Sequence, residues 1–490
     1  MAVLSIDAGT TGVTVLVVDE QAAVLGKGYR EFPQHFPQPG WVEHDPEDWW
    51  RATLEATGDA LAQASIEATQ LAAVGITNQR ETTVIWDRES MRPVHHAIVW
   101  QDRRTAPLCE ALKEEGWAQR IAERTGLVID PYFSGTKVSW LLENVPGIRA
   151  DAEAGRLAFG TVDAYLVARL TGGRVHATDH TNASRTLLFD IRKLDWDAEI
   201  LERLAIPLPL LPDVRPSSGD FGATDPEAFM GASVPIAGIA GDQQAALVGQ
   251  ACFSPGDAKN TYGTGSFVLL NTGTEAPSAE GLLTTIAYSD AEGVRYALEG
   301  SIFVTGAAIQ WLRDGLEIIE ESSEAGPLAE SVPDTGGVYF VPALVGLGAP
   351  WWDPYARGTI VGITRGTTKA HLVRAAVEAM AFQTRDVVDA MVEAGGVRLS
   401  ALKADGGASA MDVLLQLQAD LLGVPVQRPT VRETTALGAA FLAGLGTGIW
   451  STKEEAASAW SLDREFIPGD RARAGELYGG WLRAVERARA

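Results

Sequence analysis

Two short runs constrain the fold of this chain more than any other feature. In the first, Val3–Asp7 runs as a strand into the turn Asp7-Ala8-Gly9-Thr10-Thr11-Gly12 and leaves as a second strand, Val13–Asp19. In the second, Ala258–Tyr262 runs into Gly263-Thr264-Gly265 and leaves through Ser266–Leu270. Each is a strand, a glycine–threonine turn and a strand. In the first half Leu71–Thr77 returns as a buried strand, and Asp45-Pro46-Glu47-Asp48 starts a helix with Asp45 as its cap. In the second half Tyr296–Leu298 reads as a strand and Gly306–Arg313 as a helix, and Leu402–Asp405 then enters Gly406-Gly407-Ala408-Ser409. The fold class read from this repetition is α/β, with two similar domains, 1–249 and 250–490. They meet near Gly249–Asp257, and Cys252-Phe253-Ser254-Pro255-Gly256 serves as a hinge. Two halves that each offer a Gly/Thr turn place a ligand in the cleft between them.

The 490 residues are too many for one compact core and suffice for two large domains. A net charge of −24 argues against nucleic acid or an anionic membrane as the main partner. It leaves room for an anionic substrate in a local site. The two cysteines, Cys109 and Cys252, exclude a disulfide scaffold, although one bridge between them stays open. No basic stretch followed by an apolar core precedes Val3, so no secretory signal is expected. The longest uncharged run, Thr434–Thr452, is broken by four glycines and reads as a buried helix and turn rather than a membrane span. Asn182-Ala183-Ser184 matches a glycosylation sequon and is read as a loop. His176 and His180 lie in a loop-like stretch, which argues against a metal pair. Trp49-Trp50 and Trp351-Trp352 read as packing, and the acidic run Glu317–Glu330 as a solvated face.

Three segments carry chemistry. In Asp7–Gly12 the glycines allow backbone amides to approach a phosphate, threonine hydroxyls add donors, and the strand-end acid suits Mg²⁺ held through water. The turn at Gly263-Thr264-Gly265 would clamp the same nucleotide from the other side. In Ile76–Thr83, Arg80 and Glu81 sit together beyond a strand end, where a guanidinium donates to a hydroxyl oxygen and a carboxylate accepts from one. In Gly238–Ala245, Asp242 stands at a strand-to-helix junction, either as a helix cap or as a base facing the cleft. No G-x-x-x-x-G-K-[ST], G-x-G-x-x-G or H-R-D motif is present.

Taken together, these segments resemble the glycerol kinases within the FGGY family of carbohydrate kinases. The resemblance runs through Pro39–Pro46, Gly75–Thr83, Ala97–Gln101, Gly126–Thr136, Thr181–Thr186, Gly238–Ala246, Lys259–Gly265 and Gly348–Pro354. Both family signatures are traceable, at Tyr132–Lys137 with Trp140–Asn144, and from Gly358 through Gly362-Ile363 to His371 and Glu378. The resemblance implies two ribonuclease-H-like domains of the actin-like ATPase kind around a nucleotide cleft, and the conversion of glycerol and MgATP to sn-glycerol 3-phosphate and ADP. By position it implies that Arg80, Glu81, Tyr132, Asp242 and Gln243 hydrogen-bond glycerol, with Trp100 and Phe267 as apolar walls. It implies Asp242 as the base, Asp7 as the metal-linked acid, and Thr10, Thr11, Gly12 and Thr264 at the phosphates. Gly306, Gln310 and Gly407 fall in the nucleotide pocket. It also implies a cytoplasmic homo-oligomer, dimer or tetramer.

The chain departs from many relatives at Thr14, where they carry Arg, and at Met411, where they carry Asn. Thr224–Val234 contains no Lys or Arg, so the basic loop that binds fructose 1,6-bisphosphate in some relatives is not expected here. Within the family, Arg80-Glu81 with Trp100 favours glycerol over a larger sugar such as xylulose or gluconate. Asp242-Gln243 and the signature at Tyr132 favour an enzyme over a conformational ATPase sharing the fold.

Overall fold

A computed structural model of the chain describes residues 1–489. The first half builds strands β1 (Ala2–Ala8), β2 (Gly12–Asp19) and β3 (Val24–Glu31), helix α1 (Pro46–Ala64), strands β4 (Leu71–Asn78) and β5 (Ile236–Gly241), and helix α2 (Asp242–Gly249). The second half builds β6 (Asp257–Tyr262), β7 (Ser266–Gly273), β8 (Leu283–Asp290), β9 (Gly293–Ile302), α3 (Gly306–Gln310), α4 (Lys369–Gly395), β10 (Ala401–Gly406), α5 (Asp412–Leu422), β11 (Val426–Pro429), α6 (Thr434–Thr447), β12 (Leu462–Phe466) and α7 (Arg471–Arg489).

The repetition legible in the sequence is a repetition of wiring. The first sheet has the order β5-β4-β1-β2-β3 and the second β8-β9-β7-β6-β10-β11-β12. In each, a central strand pairs antiparallel with the next strand across the glycine–threonine turn. On its other side it pairs parallel with a strand that returns much later, β1 with β4 and β6 with β10. This is the arrangement expected of two ribonuclease-H-like domains. Parallel strands need long crossovers, and the crossover helices cover the sheet faces. Hence β1, β2 and β4 are buried almost throughout, with Leu4, Ile6, Val13, Val15, Val17, Val74 and Ile76 in one core. A second core gathers on the other sheet, around Val268, Leu298, Val373, Met380 and Leu402.

Local signals hold where they were strong. Asp45 caps α1 by accepting from the Glu47 amide at 3.0 Å, with Pro46 in the first turn. Trp49 is part of the first core, and Trp351 donates to Asp386 at 3.2 Å. Cys109 and Cys252 are both buried and free, so no bridge joins them. Asn182, read as a loop residue, lies buried in the single helical turn His180–Ala183, where its amide exchanges hydrogen bonds with Asn78. Among the described residues no helix is long and apolar enough to cross a membrane.

The uncharged run becomes α6, which lies in the chain between β11 and β12 of the second sheet but packs on the first, against β4, β5 and α2. Glycine explains the closeness. A Cβ on Gly438 would stand 1.8 Å from the Ala245 carbonyl oxygen of α2. Small residues let the two helix backbones touch. The contact yields a prediction. Gly438→Ala is expected to destabilise the chain by about 1–3 kcal/mol through overpacking against a backbone that has no room to shift. Gly475→Ala in α7, where a Cβ meets nothing within 4 Å, is expected to be neutral or stabilising by up to about 1 kcal/mol. Thermal unfolding midpoints of the two variants check this, and equal midpoints would contradict it.

Candidate active site

The substrate-side residues come from separated segments and converge on Arg80. Just past β4 the chain makes a tight turn, with the Thr82 amide donating to the Arg80 carbonyl at 2.7 Å. Glu81, at its centre, has φ of 62°, a left-handed conformation that costs a residue with a Cβ about 1–3 kcal/mol. The strain is held by hydroxyls of Ser134 and Thr83 donating to the Glu81 carbonyl at 3.0 and 3.1 Å. The turn points both side chains of the pair inward, where each is almost fully buried. The stem of Arg80 crosses the end of β5 at Gly241, where a Cβ would lie 2.6 Å from Arg80 Cγ.

Asp242 opens α2 but does not cap it, because the cap position is Gly241. Its side chain is 31% exposed and its Oδ1 lies 3.1 Å from Arg80 Nε. The same oxygen accepts from the Gln243 amide at 2.7 Å. Of the two readings open to this residue, the geometry fits a carboxylate facing open space. Arg80 Nη2 donates to the Tyr132 hydroxyl at 3.4 Å. Tyr132 stands edge-on to Trp100 with ring centroids 5.7 Å apart, and Arg80 lies 5.9 Å from the Phe267 ring centre. Trp100 Nε1 donates to Thr10 Oγ1 at 3.0 Å, which ties this pocket to the first turn.

Three residues without an expected role complete the pocket. Glu299 on β9 accepts from Arg80 Nη1 at 2.5 Å and Nη2 at 3.2 Å. Arg185 bridges Glu299 and Glu81, donating at 3.0 and 2.7 Å. Burial opposes the ionised form of Glu299, but Arg185 and Arg80 overcome it and hold the carboxyl at about 2. Burial pushes Glu81 upward, against the pull of the same two guanidinium groups. Lys259 on β6 donates to Gln243 Oε1 at 2.5 Å and to Thr261 Oγ1 at 3.0 Å. Burial lowers its ammonium to about 8, opposed by Asp405, Asp242 and Glu299 and assisted by Arg80.

The nucleotide-side residues form two separate turns. In the first, the Gly9 amide donates to Gly12 O at 3.0 Å, which leaves Thr10 half-buried and Thr11 exposed. In the second, the Gly263 amide donates to Gly265 O at 2.8 Å. The α3 helix starts directly on that turn, with the Gly306 amide on Gly263 O at 3.0 Å and Thr264 exposed. Gln310 ends α3 and is exposed, and Gly407 is exposed beyond β10, whose Gly406 pairs with Tyr262. No hydrogen bond joins the two turns among the described residues. Thr14 stands across the hairpin from Asp7, and Met411 lies against Gly326.

Asp7 is the next-to-last residue of β1, below the first turn. Burial, and then the facing Asp242 carboxylate, push its carboxyl up to about 7. A divalent cation near these two acids would relieve both effects, so the residues fit Mg²⁺. Among the described residues no cluster of three or more His, Cys, Asp or Glu is gathered for a metal.

The N-terminal domain model of the FGGY family of carbohydrate kinases matches residues 2–249, and its C-terminal domain model matches residues 258–447. The chain belongs to the FGGY family of carbohydrate kinases. This FGGY chain is 60% identical over 489 residues to a glycerol kinase of Symbiobacterium thermophilum, covering 99% of the chain and 98% of the relative. It is 58% identical over 488 residues to glycerol kinase 2 of Thermotoga maritima, covering 99% and 98%. Its fold matches the crystal structure of Plasmodium falciparum glycerol kinase with ADP at a TM-score of 0.93 and 36% identity, over 99% of this chain and 98% of that one.

The position of Lys259 has a measurable consequence for this kinase. Its ammonium fixes which end of the Gln243 amide faces the pocket and adds positive charge beside Asp242. We expect kcat/KM to fall above pH about 8 as Lys259 loses its proton, and that alkaline limb to be absent in Lys259→Gln. A pH–rate profile of both proteins checks this, and an unchanged limb in the variant would contradict it.

Proposed function

We propose that this FGGY kinase phosphorylates glycerol, taking the phosphoryl group from MgATP and giving sn-glycerol 3-phosphate and ADP. The observation that carries the reading is the gathering of Glu81, Tyr132 and Asp242 around Arg80, with Trp100 against Tyr132 and Phe267 beside Arg80. A three-carbon triol needs several hydrogen-bond partners and little apolar wall. A site that hydrogen-bonds hydroxyls rejects analogues lacking them by roughly 10⁴-fold, because buried polar groups would be left unpaired. The relatives named glycerol kinase support the same substrate.

In this reading Arg80 donates to a glycerol oxygen, Glu81 accepts from a hydroxyl, and Gln243, oriented by Lys259, takes a third contact. Asp242 accepts the proton of the terminal hydroxyl as its oxygen bonds to the γ-phosphorus and the bond to the ADP oxygen breaks. Thr10, Thr11, Gly12 and Thr264 hold the phosphates, and Gly306, Gln310 and Gly407 border the nucleoside. Asp7 would hold Mg²⁺, which when bound neutralises phosphate charge. A positioned base contributes about 10²–10⁴-fold, and alignment with charge stabilisation contributes more. We take the domain division as 1–249 and 250–490, with closure about the Cys252–Gly256 hinge excluding water and limiting ATP hydrolysis. On the resemblance alone, the reading extends to a cytoplasmic homo-oligomer.

The test is a coupled ADP-release assay with and without glycerol. Glycerol-dependent turnover is expected, falling at least about 10²-fold in Asp242→Asn. ATP turnover indifferent to any polyol, or an active variant, would defeat the reading.

A further inference from the structure

Glu299 is a fully buried carboxylate in the middle of β9, a strand of the second sheet. Its neighbours in that strand, Ala297 and Leu298, are ordinary core residues. Yet its strongest partners belong to the first half of the chain. Its two oxygens receive both terminal nitrogens of Arg80, at 2.5 and 3.2 Å, and Arg185 shares one of those oxygens at 3.0 Å. Arg185 then passes the constraint on, donating from Nε to Glu81 at 2.7 Å. One side chain from the second sheet thereby fixes Arg80 directly and Glu81 at one remove.

We propose that Glu299 is a positioning residue that assembles the polyol clamp from across the domain boundary. The clamp is then complete only while β9 is seated against the first domain. The arrangement of charge supports this. Arg80 and Arg185 face Glu81, Glu299 and Asp242, with Lys259 further along the same wall. Without the Glu299 carboxylate, two buried guanidinium groups share Glu81 and Asp242 alone. Arg80 then turns its terminal nitrogens toward Asp242, already 3.1 Å from its Nε, and so competes for the carboxylate that must accept a proton. Stability alone does not account for the network, because a buried ion pair is often no more stable than apolar residues of the same volume. Orientation of the two groups that meet the substrate does account for it.

The inference rests on the glycerol reading and has its own test. Glycerol and MgATP are varied separately with the full-length enzyme carrying Glu299→Gln or Glu299→Asp. For Glu299→Gln the KM for glycerol is expected to rise at least about 30-fold and kcat to fall, while the KM for MgATP stays within about 2-fold. Glu299→Asp keeps the charge on a shorter stem and is expected to fall between wild type and Glu299→Gln. A merely structural role would lower the active fraction and so kcat, leaving both KM values unchanged. Should Glu299→Gln fail to fold, Arg185→Lys keeps the charge but loses the planar fork that joins Glu81 to Glu299. It is expected to give the same selective rise in the glycerol KM. A folded variant with a glycerol KM within about 2-fold of wild type, or with both KM values raised equally, would overturn the inference. Wild-type enzyme without glycerol-dependent turnover would instead defeat the substrate reading itself.

Discussion

The site depends on a guanidinium sealed away from water. Arg80 touches Glu299, Asp242, Tyr132 and Gln244 and lies beside Glu81 and Phe267. Taking an ion out of water costs several kcal/mol even after relaxation, so the arrangement persists only because nearly every donor of the fork is matched. The matching groups come from the turn after β4, the segment at Tyr132, the junction of β5 with α2, and β9. A single buried cation thus ties four segments of the chain to one point.

The duplicated sheet wiring explains how those segments reach it. In both sheets the glycine–threonine turn closes a hairpin on the central strand, and the parallel neighbour of that strand ends on the same side. Asp7 with its turn and the Arg80-Glu81 pair therefore emerge from adjacent strands of the first sheet. The turn at Gly263–Gly265 and Gly406-Gly407 emerge from adjacent strands of the second. Catalysis of phosphoryl transfer is chiefly alignment and charge stabilisation, and groups fixed at the ends of paired strands are held rigidly enough to serve both.

Much of this was legible in the residues, and the remainder was not for identifiable reasons. The turns, the α1 cap and the junction at Asp242 are local, and local sequence specifies them. The role of Asp242 was ambiguous between cap and base because both place an acid at the start of a helix, and only the position of Gly241 separates them. Arg185 and Lys259 lay in segments that resembled the family but carried no local motif of their own. Glu299 had the plainest overlooked signal, an acid within Tyr296-Ala297-Leu298-Glu299-Gly300 where every neighbour reads as buried strand. A charge in such a run must find a partner, but its partners Arg80 and Arg185 lie 219 and 114 residues earlier in the chain, which spacing alone does not reveal. The placement of α6 on the first sheet was hidden for the same reason, since its continuous apolar character marks burial without saying against what.

The most direct measurement of the account is a structure of the enzyme closed on glycerol and a non-hydrolysable ATP analogue. It should place a carboxylate oxygen of Asp242 within about 2.6–3.2 Å of the terminal hydroxyl oxygen that faces the γ-phosphorus. A closed complex in which Asp242 points away and pairs only with Arg80, while another group meets that hydroxyl, would contradict it.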